Sequence, residues 1–141
     1  MEKWKLFALI SMVFAGLTSV IAKFGMKNLS SDVALSIRTM VVFGIITVNA
    51  FLLNDALSEI KQAPRSNLVF LIISGITTSL SWIFYYRAMK EGQVSYVASI
   101  DKASIVVTLL LSFLLLKEPI TLKVMLGAGF ILVGMLILVW K

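Results

Sequence analysis

With 141 residues, 60% of them hydrophobic and 14% charged, the chain is too apolar for a small soluble domain. It has no cysteine and no histidine, which excludes thiol chemistry and Cys/His metal sites. The net charge of +6 is spread over loops and helix ends without an aromatic-interleaved basic patch, so no nucleic-acid partner is expected. The class that remains is an integral membrane protein, read as a single domain over residues 1–141.

Five transmembrane helices are predicted, over about 4–26, 33–54, 66–87, 94–116 and 121–140. Lys3 and Lys5 precede the first. Its uncharged run from Leu6 to Ala22 is long for a signal peptide, and no small-x-small cleavage site closes it. A polar turn, Asn28 to Asp32, leads to the second span, which carries Arg38 and, mid-span, Asn49. Asn49 is expected to hydrogen-bond to another helix. Asp55 to Arg65 is the longest loop, and Pro64 closes it before a third span that is uncharged from Ser66 to Tyr86. Glu91-Gly92-Gln93 reads as a tight turn, with Gly92 suited to a helix C-terminus. The fourth span carries Asp101 and Lys102 side by side, and Pro119 stops it before the fifth. Lipid offers no hydrogen-bond partner to backbone, so the spans are helices; barrel strands would be shorter and alternating. Small residues line one face in the first span (Ala8, Ser11, Ala15, Ser19, Ala22), in the third (Ser74, Thr77, Ser81) and in the fifth (Gly127, Gly134). Such stripes suit close helix packing in a five-helix bundle.

Five spans put Lys3, Lys5, Lys61, Arg65, Lys117 and Lys123 on one side of the membrane. Lys23, Lys27, Arg38, Arg87, Lys90 and Lys141 go to the other. The basic excess that normally fixes orientation is absent. Two copies inserted oppositely would make an inverted pair, the symmetry of many secondary transporters, so an antiparallel homodimer is expected. The alternative is one orientation set by the first helix.

Lys23, Arg38, Arg87, Asp101 and Lys102 all lie toward one membrane face. An unpaired charge in the hydrocarbon costs about 2.5–3.5 kcal/mol or more. Arg38, roughly 8 Å into its span, and Asp101, at similar depth, are expected to pair. Asp101 and Lys102 point about 100° apart and need not pair, while Lys23 and Lys102 can snorkel on long stems. These charges either pin the bundle or line a polar cavity. Trp82, Tyr85 and Tyr86, at i, i+3 and i+4, read as an interfacial belt or as cavity walls. The candidate site is Arg38, Asp101 and Lys102 as a polar floor, Trp82 and Tyr86 as walls, and Lys23 beside them. Asp101 is cast as counter-ion and gate. The basic surplus favours an anionic or zwitterionic small solute over a lipophilic cation. No nucleophile–base pair or glycine-rich phosphate loop occurs, so neither an enzyme, a cofactor nor a metal is expected.

The residues also carry a family likeness along nearly the whole chain. They are Ala15-Gly16-Leu17 with Lys23; Arg38-Thr39; Ser81-Trp82-Ile83-Phe84-Tyr85-Tyr86-Arg87-Ala88 with Gly92; and, most specific, Ala98-Ser99-Ile100-Asp101-Lys102-Ala103-Ser104. That last run leads to Leu116-Lys117-Glu118-Pro119-Ile120-Thr121, Gly127 and Gly134. The chain resembles a single EamA-type unit of the drug/metabolite transporter superfamily, of the short bacterial and archaeal kind. Larger relatives hold two such units as inverted repeats in ten helices. The resemblance implies a cell-membrane exporter or exchanger of metabolites or drugs, working as a dimer by alternating access. A second implication is a non-catalytic subunit of a lipid-linked sugar flippase or another membrane complex. The family often has Pro where this chain has Ser99, and Gly where it has Lys117. The small multidrug resistance relatives carry a glutamate in span one. This chain has none there, so their proton-coupled cation exchange does not carry over.

Overall fold

The computed structural model describes residues 2–119 and 121–140, with helices α1 (Lys3–Gly25), α2 (Ser31–Leu53), α3 (Ala56–Gln62), α4 (Arg65–Glu91), α5 (Val94–Lys102), α6 (Ser104–Leu116) and α7 (Leu122–Val139). No strand occurs among the described residues. With α5 and α6 taken as one span, five helices are long and apolar enough to cross a membrane, as expected.

The helix starts are set locally. Ser30 caps α2, its Oγ accepting from the Val33 N–H at 3.3 Å, with Asp32 in the first turn. Thr121 does the same for α7, accepting from the Val124 N–H at 3.3 Å. Pro64 sits just before α4, and its carbonyl accepts from the Asn67 N–H at 3.0 Å.

Four features differ from the sequence reading. The 55–65 loop contains α3, because Ala56 to Gln62 is made of helix formers that need only one turn's carbonyl, that of Asp55, to start. The third span runs on to Glu91. Its 27 residues reach about 40 Å, more than a hydrocarbon core of about 30 Å, so Arg87 and Lys90 fall toward an interface. The fourth span is interrupted at Ala103. There the Ala103 N–H donates to the Ile100 carbonyl at 2.9 Å, and the Val106 N–H to the Ala103 carbonyl at 3.0 Å. These are tight three-residue steps, not helical four-residue ones. Finally, no described glycine has positive φ, Gly92 included; the left-handed position falls to Lys117, at φ 54°. It ends α6, and the Glu118 N–H turns back to the Ser112 carbonyl at 3.3 Å.

The chain divides into two compact units. Val20–Lys90 holds the end of α1 with α2, α3 and α4. Its interior is Met26, Leu35, Tyr86 and Met89. The other unit joins Met1–Ser19 to Glu91–Lys141; in it α5 packs on α7, where Ala128 is buried. A Cβ added at Gly127 or Gly134 would meet nothing within 4 Å. Within their own unit, therefore, these glycines do not mark a close helix approach of the kind expected of the stripe.

Candidate functional site

The candidate residues are brought together mainly in the Val20–Lys90 unit. Trp82 and Tyr86 lie four residues apart and so share a face of α4. The Arg38 guanidinium of α2 lies over both rings, with Cζ 4.4 Å from the Trp82 centroid and 5.8 Å from that of Tyr86. Among the described residues of its unit, Arg38 has no carboxylate at ion-pair distance. Its positive charge rests on the negative faces of two rings instead, an arrangement worth about 2 kcal/mol when desolvated. A guanidinium over a ring face still has N–H groups to offer, in the fork that matches a carboxylate or phosphate. Tyr86 is buried, and its hydroxyl has no hydrogen-bond partner among the described residues. A phenol in that position costs about 1–3 kcal/mol relative to a bonded one.

Beside this cluster lies a groove of 690 Å³ between α2 and α4, lined mainly by Leu35, Met40, Phe43, Trp82 and Ile83. Asp32 and Arg87 also line it. They form a two-pronged ion pair, Nε to Oδ1 at 3.2 Å and Nη2 to Oδ2 at 3.2 Å. Trp82 belongs both to the groove and to the Arg38 stack. The Asp32–Arg87 pair was not anticipated, because Asp32 reads as a turn residue and α4 as ending before Arg87's partner is apparent. The available signal was charge of opposite sign at the same membrane face, in the first turn of one span and near the end of another.

Lys23 has a different setting from the one expected. Its ammonium donates to the carbonyl of Met89, and to that of Lys90 at 3.3 Å. Lys90 returns the contact, donating to the carbonyl of Met26 at 2.6 Å and of Lys27 at 3.5 Å. Lys23 thus reaches carbonyls of the last turn of α4, and Lys90 reaches carbonyls of the turn that follows α1, where the Met26 carbonyl also accepts from the Leu29 N–H at 3.3 Å; the helix dipole favours a cation at both ends. Met26 and Met89, which supply two of these carbonyls, are the two most completely buried side chains. The result is a reciprocal clamp between the ends of α1 and α4.

Asp101 and Lys102 belong to the other unit. They pair at 3.4 Å, although neighbours on a helix diverge. Lys102 is the last residue of α5, and its flexible four-carbon stem reaches back along the helix end. The pair stands immediately before the Ala103 interruption. Within its own unit, then, Arg38 takes aromatic rings, and within its own unit Asp101 takes Lys102. Asn49, expected in an interhelical hydrogen bond, makes none within its own unit among the described residues; it lines a cavity formed by α2 residues. No cluster of three metal-ligating side chains occurs among the described residues.

Comparison with known proteins adds a family. Residues 2–140 match the EamA-like transporter family. The chain is 37% identical over 137 residues to an uncharacterized transporter in the cobO 3′ region of Sinorhizobium sp, covering 97% of this chain and 96% of that one. It is 32% identical over 71 residues to an uncharacterized protein of Methanocaldococcus jannaschii, covering 50% of this chain and 52% of that one. No solved structure matches.

Proposed function

The chain belongs to the EamA-like transporter family, a multi-pass protein of the cell membrane, and from that premise we propose that it moves a small anionic or zwitterionic solute by alternating access, as a pair of five-span units. The observation that carries this reading is Arg38, a guanidinium inside a membrane span that rests on Trp82 and Tyr86 and, in its unit, faces no carboxylate. An intramembrane charge held this way marks a route for a solute more readily than a structural pin. An incoming carboxylate or phosphate takes the N–H fork of the guanidinium, while the rings hold its position. The Asp101–Lys102 pair beside the Ala103 interruption supports the same reading. Broken spans with charged groups at the break are where transporters hold ions and substrates.

Pairing completes the proposal. Within each unit the spans are almost wholly unburied, and the glycines of α7 have room for a neighbour there. A second copy in the opposite orientation would supply the symmetry that alternating access uses. The test is solute exchange by the purified protein reconstituted alone in vesicles. We expect uptake of labelled organic anions or zwitterions that Arg38→Ala and Arg38→Lys both abolish, because lysine keeps the charge and loses the planar fork. Equal transport of lipophilic cations, or full activity in Arg38→Lys, would overturn the proposal. Exchange seen only with a second membrane chain present would make the protein a subunit instead.

A further inference from the structure

We propose that the clamp at the ends of α1 and α4 is also a binding site for the phosphate of an anionic phospholipid. A cavity of 360 Å³ lies there, lined by Lys23, Phe24, Met26, Lys27 and Lys90. Three of its five lining residues are cations and none is a carboxylate; Glu91 follows Lys90 in sequence but does not line it. The two helix ends that meet there contribute about −0.5 charge each. They offset part of the three ammonium charges and leave a clear positive surplus. Lys90 and Lys23 are held in place by the carbonyls they cap, so little side-chain freedom is lost when an anion arrives. Lys27 lies just past the end of α1 and has no ion-pair partner among the described residues of its unit.

The location selects the ligand's source. The cavity sits where two membrane spans end, the level of lipid headgroups. Phe24, on its wall, is 77% exposed and presents an aromatic face where an acyl chain would begin. Basic pockets between spans are the recurring means by which membrane proteins hold phosphate-bearing headgroups. A soluble phosphate would use the lysines but gain nothing from Phe24.

The experiment uses the full chain in detergent and follows its melting point. The additions are phosphatidylglycerol, phosphatidylcholine or inorganic phosphate. A ligand that binds only the folded protein raises the melting point in proportion to its saturation. Phosphatidylglycerol is expected to raise it, and the other two are not. Lys27→Gln is the informative variant, because the Lys27 backbone carbonyl that Lys90 contacts is retained. It should melt like the wild type without lipid. Its half-saturating phosphatidylglycerol concentration should rise about fivefold, the equivalent of one lysine near a lipid surface. An unchanged half-saturation in Lys27→Gln overturns the proposal, as does the absence of any shift with phosphatidylglycerol. Inorganic phosphate reproducing the whole shift assigns the cavity to a free anion and removes the lipid.

Discussion

The two units place their charges by different rules. In Val20–Lys90, most charges near the membrane face are tied to a different helix: Arg87 to Asp32, Arg38 to two rings of α4, Lys23 and Lys90 to each other's helix ends. In the other unit the intramembrane pair is made of sequence neighbours, Asp101 and Lys102, beside an interruption in their own span. The first arrangement fastens helices together. The second joins two sequence neighbours at the end of α5.

The contrast breaks most sharply at the clamp. Lys90→Ala and Lys23→Ala should each destabilise the protein by about 2 kcal/mol, since each strands charge-assisted carbonyl partners at a helix end. The double variant should lose less than the sum, because both lysines hold the same pair of helix ends. Thermal melts of the four proteins measure this; strict additivity would mean the two contacts are independent. Arg38→Ala should come next, at about 1–2 kcal/mol from the lost stack, together with loss of transport. The same substitution made with Trp82→Ala should show coupling in a double-mutant cycle.

Smaller changes sharpen the other side. Lys117→Gly should stabilise by about 1 kcal/mol, because it relieves a side chain at positive φ. Unchanged melting would mean the lysine makes compensating contacts. Asp101→Asn should stop transport, yet a melting cycle with Lys102→Gln should give weaker coupling than the Lys23–Lys90 cycle, because the pair joins sequence neighbours and not two helix ends. Strong coupling there would show that the pair is a fastener after all, and the contrast between the units would fall.

The spans were legible because a run of about twenty apolar residues has few alternatives in any fold. Arg38, Trp82 and Tyr86 were legible as a set because i, i+4 spacing puts two aromatic side chains on one face and a charge within a membrane span demands an answer. What answers it depends on the rotation of α2 against α4, which hydropathy does not encode. For the same reason Lys23 read as a snorkelling residue. It does reach outward along its stem, and the carbonyls of a neighbouring helix receive its ammonium there. The Ala103 interruption left no trace in the sequence, because alanine is a good helix former and the break lies in its hydrogen-bond pattern, not its composition. The residue at 117 gave a signal that was visible only against the family's glycine.

The reciprocal clamp also bears on how the chain is built. Lys23 and Lys90 are 67 positions apart, so the first emerges and enters the membrane well before its counterpart is synthesised. During that interval Lys23 acts as one of the charges that decide which way up α1 settles. Once α4 arrives, the clamp closes only if both helices end on the same side. It therefore checks the orientation of α1 against α4 and is blind to which side that is. A nascent chain inserted entirely one way or entirely the other passes the check equally, and a chain with one helix inverted fails it.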